Sequence, residues 1–226
     1  MPPSSSSGTR TTVISATPRG WTARSSPSCP PPPVRPDRWS SRPSSSAHAS
    51  GVYYNAAAVI GPDGGIIGVY RKTHIPFTKS YEKYYFTPGP DLPVFDTPVG
   101  RIGVLICYDR WYPEAWRKLV AQGAQIVCCP ISSGKLGAQS EAPVWEPLLR
   151  IRARENLVFV AAANRTGTEP PYENLGRSMI VSPLGDVLAG PGQDGRQSLT
   201  TKVDLNDVAR CRQAMPFLRD RRPDLY

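Results

Sequence analysis

The chain has 226 residues, 39% of them hydrophobic, which is enough to bury one core, and its formal net charge is +9. Six Arg and one acid, Asp37, place +5 of that charge in residues 1–50, and the other basic residues are scattered without an aromatic and basic stacking motif. These features argue against a nucleic-acid partner, and the lack of any run of about 18 apolar residues argues against a membrane span.

Residues 1–50 contain fourteen Ser and ten Pro. So few apolar side chains cannot offset the conformational entropy lost on folding, and we predict that this segment is disordered. It lacks the apolar stretch of a secretory signal. Its Arg- and Ser-rich, acid-poor composition also resembles a transit peptide, an alternative that the proline run at 30–33 disfavours.

From Gly51 onward the pattern changes to strands and helices. Strands are predicted at 53–60 and 66–70, joined by a Pro-Asp-Gly turn, and a second strand pair at 92–97 and 100–106. A helix is predicted at 113–122, where Gly123 is well placed to end it.

The second half repeats this alternation. We predict a strand at 125–130, a helix at 144–156, a strand at 157–163, a hairpin of 178–182 with 187–189, and a last strand at 198–205. Continuously apolar strands are typical of a sheet covered on both faces or packed against another sheet. The mixture predicts layered α/β architecture.

Cys107 lies between the apolar run 101–106 and a polar, helix-starting stretch at 108–114. A thiol on a strand-to-helix turn projects into a cleft near the free N–H groups of the helix start, which favour a thiolate. Free cysteine more often packs as a small hydrophobe, so this position alone leaves both interpretations open. Lys72 follows another strand-like run, at 65–69, and favours the nucleophile.

The five cysteines show no paired spacing, which argues against disulfides and suits a reducing, cytoplasmic location. Only two histidines are available, His48 and His74, so a zinc site has little support. We predict neither a metal nor a cofactor.

Four motifs occur in the order and spacing of one family: residues 70–76, Glu82 within 81–86 followed by Pro88-Gly89, residues 103–114, and residues 164–167. Together they resemble the carbon–nitrogen hydrolase, or nitrilase, superfamily, and residues 216–223 resemble the end of many bacterial members. The resemblance predicts a carbon–nitrogen hydrolase domain at 51–226 after the disordered segment.

The resemblance implies a four-layer α-β-β-α sandwich, a homo-oligomer, and a Glu-Lys-Cys triad acting on small amides, nitriles or carbamoyl compounds. Cys107 matches the nucleophile, which would form a thioester-like intermediate that water hydrolyses. Lys72 matches the cation that stabilises the oxyanion, and Glu82 a second glutamate that orients the lysine or the water.

This chain departs from the family at the general base, a glutamate that normally precedes the lysine. Glu82 is the first glutamate here, and the acids before Lys72 are Asp37 and Asp63. The Ser/Pro/Arg-rich segment stands in the place of the family's N-terminal β-α units, and our hypothesis is a shifted reading frame or a misplaced gene start. We therefore expect little or no turnover, and a non-catalytic remnant or assembly subunit is the alternative to an enzyme.

Residues after the nucleophile bear on the substrate, and we predict that Tyr108, Arg110 and Trp111 bind it. Arg110 resembles the arginine of N-carbamoyl amino acid hydrolases, including β-ureidopropionase-like proteins, and would take a carboxylate bidentately. N-carbamoylputrescine amidases usually have glutamine there, and they remain the alternative. An ion pair of Arg110 with Asp109 or Glu114, which we expect to be structural, would remove the preference for an anion.

Overall fold

The computed structural model describes residues 11–17, 20–25, 51–77, 81–191 and 198–225. The strands are β1 Thr11–Thr17, β2 Gly20–Ser25, β3 Ala56–Ile60, β4 Ile66–Arg71, β5 Val94–Thr97, β6 Gly100–Val104, β7 Ile126–Ile131, β8 Gly134–Leu136, β9 Gln139–Ser140, β10 Phe159–Asn164, β11 Thr168–Glu169, β12 Tyr172–Asn174, β13 Met179–Val181, β14 Val187–Ala189 and β15 Leu199–Asp204. The helices are α1 Glu82–Tyr85, a 3-10 helix at Cys107–Trp111, α2 Pro113–Ala121, α3 Ala142–Asn156 and α4 Asn206–Ala214.

A central six-stranded sheet has the order β14-β13-β10-β7-β6-β5, with β6, β7 and β10 parallel. Side chains alternate along β7: Ile126 and Cys128 pack in one buried cluster, Val127 and Cys129 in another. The two clusters lie on opposite faces because successive strand residues point in opposite directions. This confirms that the apolar strands belong to a sheet covered on both faces.

Helices α2 and α3 cover one face of this sheet through Trp116, Leu119 and Leu149. The hairpin β3–β4 and strand β15 cover the other through Tyr70 and Val203. The sheet therefore lies between a helical layer and a second β layer, and the fold is α/β as predicted.

Strand β1 pairs antiparallel with both β15 and β2. Strands β1 and β2 fall within residues 1–50, where composition predicts disorder, and the structure describes strands there at 11–17 and 20–25. The edge of β15 offers backbone hydrogen bonds that composition does not register, and Thr, Val and Ile in 11–17 suit a strand. The rest of the predicted disordered segment lies outside the described residues.

A small sheet of order β11-β12-β8-β9 was not predicted, because strands of two or three residues carry no readable periodicity. Within it, β8 and β12 pack so closely at Gly134 that a Cβ there would clash with the Glu173 carbonyl oxygen. The turn after β6 also differs from expectation. A 3-10 helix precedes α2, which starts with Pro113 at its first position.

Candidate active site

Cys107 begins the 3-10 helix with a left-handed backbone, φ 49°, which is uncommon and strained for a residue with a Cβ. The Arg110 side chain donates from Nη1 to the Cys107 carbonyl at 2.8 Å. The Cys107 Sγ is partly exposed and lies 3.5 Å from the Ser132 carbonyl oxygen. The strained turn thus leaves the thiol partly accessible at the edge of the two buried clusters.

Lys72 follows β4, and its side chain is buried with the Nζ 2.7 Å from Glu82 Oε2. Asn55 Nδ2 donates to the same Glu82 oxygen at 3.2 Å. The Asn55 carbonyl also accepts from the Lys72 backbone N–H at 2.8 Å. A buried ammonium needs such a carboxylate partner, so the structure joins the two predicted residues and adds Asn55, which the sequence did not reveal.

Asp109 ties the Lys72 segment to the Cys107 turn. Its fully buried carboxylate accepts hydrogen bonds from the backbone N–H of Ile106 at 2.8 Å and of His74 at 2.9 Å. It also accepts from the Tyr70 hydroxyl at 2.7 Å and the Thr73 hydroxyl at 3.1 Å, and it contacts His74 Nδ1 at 2.8 Å. Tyr70, Thr73 and His74 lie next to Lys72 in the chain, and Ile106 directly precedes Cys107. Asp109 therefore holds the two segments together.

Arg110 does not face an open site. Its side chain is 2% exposed and binds Glu141 and, at 3.2 Å, the Ser133 hydroxyl. The guanidinium also lies over the rings of Trp111 and Trp145, at 5.1 and 5.7 Å from their centroids. The prediction that Arg110 binds a substrate carboxylate does not fit this burial. Its ion-pair partner is neither Asp109 nor Glu114 but Glu141, 31 residues further along the chain.

Asn164 holds the Ser132–Ser133 loop beside Cys107. Its side chain accepts from the Ser133 N–H at 2.9 Å and donates to the carbonyls of Ser133 and Gly176 at 3.0 and 2.8 Å. The 164–167 motif therefore contributes to the site through Asn164, to which the sequence analysis assigned no role.

Tyr108 and Trp111 are both half-buried beside the thiol. The ring of Tyr108 meets Tyr112 edge-on at 5.5 Å. The hydrogen bond that Tyr112 donates to Tyr108, together with burial, raises the pKa of Tyr112 to about 12. Trp111 packs under the Arg110 guanidinium, so its contact with a substrate stays a prediction.

Buried polar side chains concentrate at this place. Of the six in the described part of the chain, five belong to the contacts above: Lys72, Asp109, Arg110, Ser133 and Asn164. Burying polar and charged groups costs free energy, and their clustering indicates a functional site rather than ordinary core packing. In the same ranges, no group of three or more His, Cys, Asp or Glu side chains is arranged to hold a metal.

Thiol chemistry should distinguish Cys107 from the buried cysteines. Burial raises the pKa of Cys128 to about 12 and that of Cys129 well above the ordinary value, and desolvation raises that of Cys211. At pH 7.5 we expect iodoacetamide to label Cys107 at least about tenfold faster than these three, because the thiolate is the reactive form. Peptide mass spectrometry of the native protein measures the rates. Faster labelling of Cys128 or Cys129 would contradict the packing described.

Comparisons with known proteins agree with this geometry. The carbon–nitrogen hydrolase family matches residues 37–213, beginning before Gly51, within the segment predicted to be disordered. The chain is 38% identical over 192 residues to the N-carbamoylputrescine amidase of Arabidopsis thaliana, covering 79% of this chain and 64% of that protein. It therefore spans just under two thirds of that curated relative.

Two solved structures are also similar. A carbon–nitrogen hydrolase from Helicobacter pylori G27 has 39% identity and a TM-score of 0.75, covering 80% of this chain and 66% of that one. An amidase mutant from Nesterenkonia sp. AN1 has 29% identity and a TM-score of 0.64, covering 77% and 61%. It shows covalent addition of the acetamide moiety of fluoroacetamide at its active-site cysteine. The family match over residues 37–213 and the similarity to these relatives show that the chain belongs to the carbon–nitrogen hydrolase family.

Proposed function

We propose that the protein hydrolyses a carbon–nitrogen bond of a small linear amide or N-carbamoyl compound, with Cys107 as nucleophile. The observation that supports this most is the thiol held at φ 49° on a turn that Asp109 bonds to the Lys72 segment. The mutant Nesterenkonia amidase, modified at its active-site cysteine, supports the same role for Cys107.

In the proposed reaction the Cys107 thiolate attacks the planar carbon and the carbonyl oxygen takes up the electron pair. The buried Lys72 ammonium would stabilise that oxyanion, and Glu82 would hold the lysine in place. Collapse of this tetrahedral intermediate breaks the carbon–nitrogen bond, and the nitrogen takes up a proton as ammonia or the amine leaves. Water then cleaves the thioester or thiocarbamate, which releases the acid or carbamic acid and restores the thiol.

The proton carrier is the open step, because the family's glutamate before the lysine has no counterpart in this sequence. Asp63 binds the Gly65 N–H in the β3–β4 turn and is exposed, which suits a turn residue rather than a base. Asp37 lies outside the described residues. We therefore expect slow turnover, with the acyl or carbamoyl enzyme forming faster than it is hydrolysed.

The test is incubation of the full chain with N-carbamoylputrescine, N-carbamoyl-β-alanine and a simple aliphatic amide. We expect ammonia or amine release and a covalent adduct on Cys107, seen by intact and peptide mass spectrometry. Both signals should vanish in the Cys107→Ser variant, while Cys211→Ser should behave as the parent. A chain that releases nothing and forms no adduct would instead be the non-catalytic assembly subunit.

A homo-oligomer in the cytoplasm is part of the same proposal. Exposed aromatic side chains cluster near α1, namely Phe77, Tyr81, Tyr84 and Tyr85, each more than 60% exposed. Such a patch is typical of a contact surface. Light scattering should give a mass above the 24.7 kDa of one chain. Among the described residues, no helix combines the length and apolar character needed to cross a bilayer.

A further inference from the structure

Two ion pairs that join a lysine or arginine to a glutamate lie at the site, and both are oriented alike. The Lys72 side chain is 0% exposed and that of its partner Glu82 24%. The Arg110 side chain is 2% exposed and that of its partner Glu141 24%. In each pair the cation is buried and the carboxylate reaches the surface, so a molecule entering the site meets negative charge first.

Glu141 lies close to the thiol. Arg110 bridges them, with Nη1 3.8 Å from Cys107 Sγ and Nη2 bonded to Glu141 Oε2. The Ser133 hydroxyl donates to the same Oε2. Tyr172 lies within the field of both groups: burial raises the pKa of its phenol, and the charges of Glu141 and Cys107 add to the rise.

The second oxygen of Glu141 is available. Both bonds above use Oε2, and no described residue is shown donating to Oε1. Since the Glu141 side chain is partly exposed, Oε1 can accept hydrogen bonds from a ligand. Arg110 cannot donate hydrogen bonds to a ligand carboxylate, because its guanidinium is buried and already bonded to protein groups.

We propose that Glu141 selects substrates whose end remote from the scissile bond is cationic, and that Arg110 serves as its buried counter-charge. The substrate class is then an N-carbamoyl or amide derivative of an alkyl diamine. This inference rests on the proposed function for the bond that is cleaved. A substrate carboxylate would meet the Glu141 carboxylate before it could reach Arg110, and like charges exclude it.

The charge at the site can be measured without turnover. Cationic 2-aminoethyl methanethiosulfonate and anionic 2-sulfonatoethyl methanethiosulfonate each form a mixed disulfide with a thiolate and expel methanesulfinate. Their rates at Cys107 are followed by peptide mass spectrometry on the full chain at low salt. The ratio of the rate with the cationic reagent to the rate with the anionic reagent is divided by the same ratio for free mercaptoethanol, which corrects for the intrinsic reactivity of the two reagents. The corrected ratio reports the electrostatic field that a substrate meets at Cys107.

The decisive variant is the double substitution Arg110→Gln with Glu141→Gln. It removes one positive and one negative charge, so the net charge is unchanged and no buried ion is left unpaired. If Glu141 dominates the site, the ratio should fall about tenfold from that of the parent. If Arg110 dominates, the ratio should rise, and an unchanged or rising ratio overturns the proposal. The matched control is Glu146→Gln on the outer side of α3, where the pair with Arg150 is exposed, and it should leave the ratio within twofold.

Glu141→Gln alone should also lower the ratio, with circular dichroism confirming that the fold is kept. These rates do not depend on hydrolysis, so they test the charge preference separately from the reaction. A cationic preference that disappears in the double variant supports the inference even if no substrate is turned over. A hydrolase that keeps the parent ratio in that variant refutes it and leaves the proposed reaction standing.

Discussion

Asp109→Ala is expected to lower the free energy of unfolding by about 3–5 kcal/mol, the usual cost of leaving buried partners of a removed charge unsatisfied. The carboxylate is fully buried and takes hydrogen bonds from Tyr70, Thr73, His74 and Ile106. Without it, backbone N–H groups on both sides of the site lose their acceptor. Urea unfolding followed by circular dichroism measures the change.

The matched control is Asp96→Ala. The Asp96 carboxylate is 80% exposed and pairs with a half-exposed Arg101. Such a surface pair contributes roughly 0.5 kcal/mol or less. Equal losses in the two variants would show that Asp109 does not join the segments, whereas a large loss confined to Asp109→Ala supports its role.

The Asp109→Ala substitution should also slow the labelling of Cys107 by iodoacetamide. The Ile106 N–H bond to Asp109 lies directly before the turn that holds the thiol at φ 49°. When that bond is lost, the turn can relax to an unstrained conformation. Thr73→Ala removes one donor and leaves the carboxylate in place, so it should have the smaller effect on both stability and labelling.

Lys72→Met is expected to slow amine release by about 10²–10³, the range found when an oxyanion-stabilising group is removed. The ammonium is buried, 2.7 Å from Glu82, and cannot be replaced by water without opening the site. Methionine keeps most of the length and the apolar stem while removing the charge. The first-turnover rate of amine release, measured by rapid quench, separates this step from hydrolysis of the intermediate.

Lys118→Met, on the exposed side of α2, is the control and should release amine at the parental rate. Asn55 continues to donate to Glu82 in the Lys72 variant, which limits rearrangement of that side chain. A Lys72→Met protein within tenfold of the parent would remove Lys72 from the proposed mechanism.

The main elements of the fold could be read from local patterns. The hairpin around Pro62-Asp63-Gly64, the helix ending before Gly123 and the apolar strands β7 and β10 all lie close to their predicted bounds. Each depends on neighbours within a few residues, through turn conformation, helix capping or side-chain alternation. Such short-range causes are visible in a single sequence.

The strands missed by sequence reasoning depend on distant partners. Strands β8, β9, β11 and β12 form only by pairing with one another. The strand at 11–17 pairs with β15, more than 180 residues away, and the strand at 20–25 pairs with the strand at 11–17. Composition indicates only how much apolar surface a segment can bury by itself. It does not indicate whether a distant strand, here β15, offers an edge with which the segment can pair.

The site shows the same division. By itself the sequence determined the family motifs, the α/β class and the candidates Cys107, Lys72 and Glu82, because each follows a recognisable element at a fixed spacing. Only the tertiary structure decided that Asp109 joins the Lys72 and Cys107 segments and that Glu141 neutralises Arg110. The charge that a substrate meets depends on which member of an ion pair is buried, and burial is a property of the packed chain rather than of any one residue.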